Sequence, residues 1–597
     1  MLNSKVELSI NAKVVLEKRY LLKDEKGEIK ETPEQMFSRV ARLVAMADKI
    51  YNPKAKLEAL EDEFYQKLVN LEFLPNSPTL MNAGTEIGQL SACFVIPVYD
   101  SMQSIFDTLK NMALIHQSGG GTGFSFSSLR PKDDVVKSTG GIASGPVSFM
   151  RVFDEATEII KQGGRRRGAN MGILRIDHPD ILEFTKAKEK EDFLTNFNTS
   201  VAITDKFMES LETGKEYDLI NPRTHQVVKS LPAQEIFEQI VLTAWKVGDP
   251  GIIFIDEINR HNPTPHIGEI EATNPCGEQP LQPYESCNLG SINLAKMVSA
   301  GRINWDKLRE TVKTTIHFLD NVIDVNKFIL PEIEEMTKRN RKIGLGVMGF
   351  ADLLIQLNIP YDSEKALSIA DELMKYISQQ AIEQSLALSK ERGSFPNFKG
   401  SIWEKKSFPS MRNASLLTIA PTGTISIIAG TSSGIEPLFA LSFYREVMEG
   451  LRLLEVNNNF KQNLEKEGIY SESLIKKIAQ LGSIQQLYEI PEHYKNIFKT
   501  AFDISPEWHI KMQAVFQRHC DNAVSKTINL PSDASPEKVK EAYLLAYKSH
   551  CKGITTYRYG TKRAQVLNIG RLPEKPEGSD YIKADSEHSG ECRECLF

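Results

Sequence analysis

This chain predicts an α/β body with mostly parallel strands, on two observations. From Phe73 onward, short β-rich runs broken by glycine, such as residues 93–98 and 251–256, alternate with longer amphipathic segments. The chain is also 597 residues long, 41% hydrophobic and 25% charged, which provides for a large core in an ordinary globular composition. The alternation serves an open sheet and a barrel equally.

Taken in order, residues 1–70 read as a mainly helical segment: Met36, Val40, Leu43, Val44 and Ala47 recur at helical spacing, and Pro33 suits a first turn. Residues 71–567 form the α/β body. Within it, Ser363 is a suitable N-cap for a helix carrying Ala366, Ala370, Leu373, Ile377 and Ala381 on one face. Residues 441–515 are rich in Leu, Lys, Glu and Asn and read as a helical insertion. Residues 568–597 change character, with Pro573, Pro576, Gly578 and Ser579 ahead of a polar run that ends near Cys592 and Cys595, and read as a flexible tail.

The 72 basic and 78 acidic residues leave a net charge of only -6, so no global field recruits nucleic acid. Seven cysteines are too few for a disulfide scaffold, and their odd number suits a reducing compartment. With no stretch of 18 apolar residues and no secretory leader pattern, the expectation is a cytoplasmic protein without membrane partners.

Chemistry concentrates between residues 274 and 290. Pro275 and Gly277 flank Cys276 and favour a tight turn that projects the sulfur, with Asn274 and Glu278 two residues away on either side. Cys287 follows in the same stretch, and Cys93 is a third candidate thiol. A thiol exchanges hydrogen with carbon, a carboxylate removes a hydroxyl proton, and two further thiols supply electrons. Cys520 and Cys551 lack such context and read as core residues. Cys592 and Cys595 form a CxxC suited to thiol–disulfide exchange, and no second CxxC is present to complete a zinc site. Pro421, Thr422, Gly423, Thr424, Ile425 and Ser426 follow a strand-like run at 416–419 and offer hydroxyls and backbone N–H groups to an anion. Glycines 119, 120, 121 and 123 lack dinucleotide-fingerprint spacing and read as close backbone packing.

The stretches 274–281 and 284–294 resemble the active-site region of ribonucleotide reductases, most closely the adenosylcobalamin-dependent class. Residues 74–84, 91–95, 344–353, 420–426 and 521–531 agree in the same order, so the resemblance spans about residues 15–570. It implies a ten-stranded α/β barrel of two five-stranded halves with a central finger loop, and the reduction of ribonucleotides, diphosphates first among them. It implies a transient thiyl radical at Cys276, Glu278 as general base, Asn274 on the ribose hydroxyls, and Cys93 with Cys287 as the pair that ends as a disulfide. Substrate contacts are implied at Asn76, Ser77, Thr79, Ala92 and residues 421–426. Asp100, Ser138, Gly163, Arg165 and Arg166 resemble the region that binds a deoxynucleotide or ATP specificity effector. Cys592 and Cys595 would pass electrons from a thioredoxin-like or glutaredoxin-like reductant.

The implied cofactor is adenosylcobalamin, which keeps its own base as lower ligand; no protein metal site is expected. The rival is a large subunit fed by a separate ferritin-like metal subunit, whose chains usually carry an adjacent Tyr pair near the end. Here Tyr557 and Tyr559 are separated by Arg558. No C-terminal glycyl-radical loop is evident. The motifs begin near Leu74, leaving no room for the regulatory ATP cone of many relatives, and a homodimer is expected because such effector loops act across a subunit boundary. A nucleotide-sensing protein that has lost the chemistry is disfavoured by the presence of Cys93, Cys276, Glu278 and Cys287 together.

Overall fold

The computed structural model describes residues 5–136, 140–161, 168–190, 192–447 and 451–561. The N-terminal region contains α1 (Ile10–Val15), continued by a π-turn Leu16–Tyr20, then α2 (Pro33–Ala45) and α3 (Leu57–Val69). Thr32 and Gln35 form a reciprocal capping box at the start of α2, with Pro33 in its first turn, where a missing N–H costs nothing. Met36, Phe37, Val40 and Val44 of α2 and Phe64, Tyr65 and Leu68 of α3 bury into one cluster that continues into the body.

Ten strands build the body: β1 (Phe73–Pro75), β2 (Cys93–Val95), β3 (Gly121–Ser125), β4 (Asn170–Arg175), β5 (Phe197–Ile203), β6 (Gly251–Phe254), β7 (Ser286–Asn293), β8 (Ile343–Met348), β9 (Thr527–Leu530) and β10 (Gly553–Arg558). Their order is β1-β7-β2-β3-β4-β5-β6-β10-β9, with β8 on the other edge of β7. The run β2 to β6 is parallel throughout, as are β7 with β8 and β9 with β10, whereas β1–β7, β7–β2 and β6–β10 are antiparallel. Among the described residues this ladder does not close into a ring strand by strand. Single bridges, Leu345 to Leu417 and Ile419 to Val524, lead from β8 through residues 416–419 to the stretch just ahead of β9.

The faces of the sheet alternate as a pleat requires. Cys93 and Val95, Met171 and Ile173, Ala202, Ile253, and Cys287 and Leu289 all point into one apolar cluster shared with Ala272 and Leu281. Phe94 and Leu174 point the other way, into a separate core under the helices. Those helices include α5 (Met102–Gln117) and α6 (Pro146–Lys161), whereas α4 (Ser77–Asn82), α7 (Trp305–Val325), α8 (Glu364–Arg392) and α9 (Gly423–Ala429) bury their apolar residues in the cluster shared with the N-terminal helices. Ser363 caps α8 by accepting from the Ala366 N–H at 3.2 Å, and Ala366, Ala370, Leu373, Ile377 and Ala381 are buried along it.

Local readings of the sequence need correction in three places. The run at 93–98 is a strand only to Val95, since Pro97 has no N–H for a ladder. The run at 251–256 stops at Phe254; a helix, Ile255–Arg260, starts there, with Asp256 and Glu257 in the first turn where acidic groups favour it. Residues 441–515 are not wholly helical. An antiparallel hairpin, Ser442–Val447 with Leu451–Val456, comes first, and residues 443, 444, 447 and 456 are of the aromatic and β-branched types that favour extended pairing. The helices Asn458–Lys466, Glu472–Leu481, Glu492–Ile497 and Pro506–Gln517 follow. No helix among the described residues is long and apolar enough to cross a membrane.

Candidate active site

The loop after Thr273 is a tight turn because its sequence requires one. Gly277 sits at φ +81°, a conformation that favours glycine, and its N–H donates to the Asn274 carbonyl at 3.1 Å. The turn is tied down on every side. Asn198 Nδ2 donates to the Pro275 carbonyl at 2.9 Å, while Thr418 Oγ1 and the Ala523 N–H both donate to the Glu278 carbonyl at 2.9 Å. Gly123 of β3 lets the loop approach: a Cβ there would stand 1.7 Å from the Thr273 carbonyl oxygen.

Asn274 organises the loop and reaches beyond it. Its Oδ1 accepts from the Gln279 N–H at 2.9 Å, and its Nδ2 donates to Cys93 Sγ at 3.1 Å. The second amide hydrogen is left for another acceptor. Cys93 and Cys287 are directly opposed in the antiparallel register of β2 and β7. Opposed Cα atoms in such a pair lie about 4.5–5.5 Å apart, within the span a disulfide bridges. Cys287 is fully buried, and its Sγ lies 3.6 Å from the Lys342 carbonyl oxygen. Burial pushes its thiol well above the ordinary range; Lys342 opposes that rise, and Glu285 and Glu278 add to it. Cys93, Cys287, Cys520 and Cys551 are in no disulfide.

These groups meet at a cleft that opens to solvent. Cys93, Asn274, Cys276 and Glu278 line it, and Cys287, beside Cys93 on the neighbouring strand, is fully buried. Glu278 is 2% exposed, and Cys276 is half-buried. Of the residues expected to touch substrate, Asn76, Ser77, Ala92, Pro421, Thr422, Gly423, Thr424 and Ile425 line the same cleft. Asn76 Nδ2 is buried without a partner among the described residues, a donor placed to meet a ligand oxygen. Two expectations change. Thr79 stands behind the lining, bonded to Asn76 Oδ1 at 2.8 Å and to the Leu90 carbonyl, and Ser426 is turned to the Gly423 carbonyl and Ser433. Both hold lining residues in place.

Asp100 is half-buried and paired with Arg130 at 2.9 Å, so any effector contact there includes that arginine. Ser138, Gly163, Arg165, Arg166, Cys592 and Cys595 lie outside the described residues. Cys520 and Cys551 are buried in apolar surroundings, and burial holds both thiols up, that of Cys551 at about 12. Glycines 120 and 121, Ala169 and Ser291 also line the cleft, and the sequence reading assigned none of them to it. Their signal was the glycine run itself, read there as packing alone.

Residues 91–557 match the family model described as ribonucleotide reductase, barrel domain, and residues 6–88 match ribonucleotide reductase, all-alpha domain. A vitamin B12-dependent ribonucleoside-diphosphate reductase from Thermoplasma acidophilum is 51% identical, over 97% of this chain and 82% of its own length. A protein of the same description from Mycobacterium tuberculosis is 49% identical over 99% of this chain and 85% of its own. Among solved structures, the class Id ribonucleotide reductase alpha subunit of Actinobacillus ureae superposes with a TM-score of 0.74 over 93% of this chain and 97% of its own, at 23% identity, a likeness of fold.

Proposed function

The chain belongs to the ribonucleotide reductase family, and from that premise we propose that it reduces ribonucleoside diphosphates to 2′-deoxyribonucleotides with adenosylcobalamin as radical source. One observation carries the reading: a single cleft gathers Cys276, Glu278 and Cys93, with Cys287 opposed to Cys93 on the neighbouring strand. Cys276, as a thiyl, takes hydrogen from C3′ of the ribose. Glu278 takes the 3′-hydroxyl proton, and the 2′-hydroxyl leaves as water with a proton from Cys93. The ribose gains two electrons and Cys93 and Cys287 lose two, closing as a disulfide while Cys276 recovers its hydrogen. Holding C3′ against the sulfur is the protein's main contribution, since a displacement of about 1 Å costs roughly 100-fold.

Adenosylcobalamin supplies, when bound, a carbon-centred radical. The chain fits such a group because Cys276, the residue it must reach, is half-buried at an open cleft and not sealed in the core. Among the described residues no cluster of three or more histidine, cysteine or carboxylate side chains is arranged to hold a metal.

The sheet is read as a closed barrel, on the support of the two single bridges and of the interior cluster that joins β2, β4, β5, β6 and β7 around the loop. Residues 416–419 then join β7, β8, β9 and β10 as a second set of five, with β1 an additional strand paired to the end of β7. A homodimer is supported by the exposed Met102 and Phe106 on α5 and Val152 and Ile159 on α6, two helices that pack together beside Asp100. Specificity effectors at Asp100, Ser138, Gly163, Arg165 and Arg166, and electron delivery through Cys592 and Cys595 in a reducing cytoplasm, complete the proposal.

The test is reduction of each nucleoside diphosphate by the purified chain with adenosylcobalamin and a dithiol, beside Cys276→Ser. Wild type should form product and the variant none. Product from Cys276→Ser overturns the radical assignment, and product only after addition of a second, metal-bearing protein overturns the cofactor assignment.

A further inference from the structure

We propose that Tyr20, remote in sequence from every motif above, is a positioning residue for the substrate's phosphates and acts through Ser77. The inference rests on the nucleotide-reducing reading. Tyr20 closes the π-turn that continues α1 and is 2% exposed, and its hydroxyl lies 2.7 Å from Ser77 Oγ. Ser77 opens α4 and lines the cleft beside Asn76. The N-terminal helices hold the far end of α4 as well: Arg39 of α2 donates to the Leu80 carbonyl at 3.3 Å and to the Ala83 carbonyl. Meanwhile α1 packs on α9, whose leading residues Gly423 and Thr424 line the same cleft. One short segment therefore fixes both walls that would receive a diphosphate.

Polarity gives Tyr20 its task. Phosphate oxygens only accept hydrogen bonds, so Ser77 must spend its single hydrogen on the ligand and offer lone pairs elsewhere. Tyr20 then has to be the donor to Ser77, and a hydroxyl that accepts one bond donates the next more strongly. Replacing the phenol by a phenyl ring keeps the packing and removes that donor, leaving the Ser77 hydrogen without a set direction.

The test measures equilibrium binding of ADP and of adenosine, and steady-state reduction of diphosphates, for the full chain and for Tyr20→Phe, Ser77→Ala and the double variant. Tyr20→Phe should weaken ADP binding and raise KM by about 3- to 10-fold, the worth of one hydrogen bond. Adenosine binding and kcat should stay within about twofold, and the double variant should bind ADP no more weakly than Ser77→Ala alone. Unchanged ADP affinity, an equal loss for adenosine, or additive losses overturn the assignment. If Tyr20→Phe does not fold, 3-fluorotyrosine at position 20, a stronger donor of nearly the same shape, should tighten ADP binding, and absence of tightening overturns it. A wild-type chain that binds ADP but does not reduce it sinks the functional reading and leaves the Tyr20 assignment standing.

Discussion

Glu278 works with almost none of its surface in water. Its backbone carbonyl accepts from Thr418 and Ala523 while its side chain lines the cleft, so the chain fixes where this carboxylate stands before any ligand arrives. Glu278→Gln keeps that shape and removes the proposed base. Its kcat should fall by about 10²- to 10⁴-fold with KM little changed, and steady-state kinetics beside ADP binding would check this. Equal losses in binding and kcat would mean that Glu278 holds substrate instead. The convergence of Cys276, Glu278 and Cys93 on one cleft was expected from the family resemblance of their motifs, which spacing alone does not distinguish from an ordinary turn. The bond from Asn274 to Cys93 was not, because it joins positions 181 residues apart and only the tertiary fold creates it. Tyr20 was equally silent, being an ordinary aromatic in a helical stretch until its hydroxyl meets Ser77.

At the scale of elements, the finger loop depends on the strand beside it. Gly123→Ala would drive a methyl group to 1.7 Å from the Thr273 carbonyl, so the loop or β3 must move. Such a change should cost about 1–3 kcal/mol of stability and lose a larger share of activity, because the loop carries Cys276. A denaturant midpoint measured beside kcat reads both, and an active, unshifted variant would contradict the packing argument. This also explains the partial success of the sequence reading. The glycine run was read as close packing, which holds for Gly120, Gly121 and Gly123, where a Cβ would stand 2.5 Å from Phe94, 3.0 Å from Pro275 and 1.7 Å from the Thr273 carbonyl oxygen, and Gly120 and Gly121 line the cleft as well. Alternating β and α signals announced the class, but strand ends were set by features that periodicity does not weigh, Pro97 in one case and an acidic first turn in the other.

At the scale of the molecule, the N-terminal helices are bound to the body by a buried ionic web. Asp320 of α7 meets Arg341 at 2.9 Å, Arg412 at 3.1 Å and Arg392 at 3.3 Å, and Arg392 reaches Asp48 at 2.7 Å. Tyr51 lies between Arg392 and Arg412 and donates to Asp324 at 2.8 Å. Burial alone would raise the Asp320 carboxyl, but Arg341, Arg412 and Arg392 together hold it at about 2, below the ordinary value near 3.9. A depressed carboxylate contributes stability in full above its unfolded pKa and loses it as pH falls through the folded one, so that loss belongs between about pH 4 and pH 2. Asp48, also held at about 2, shares the window. Asp320→Asn should cost about 3–5 kcal/mol at neutral pH by leaving the guanidinium groups under-compensated, and should soften the acid limb. Unfolding midpoints across that range would decide it; an unchanged acid limb would count against the web.

The placement of the two opposed cysteines would set the direction from which electrons return in the proposed reaction. Cys93 lines the cleft and Cys287 is fully buried beside it, so a thiolate reducing the proposed disulfide would meet Cys93 first, form the mixed bond there and expel Cys287. A sulfur so far from water is a poor leaving group until a proton reaches it. In the proposed cycle, recharging would then be governed by proton supply to the buried sulfur, although the collision happens at the cleft.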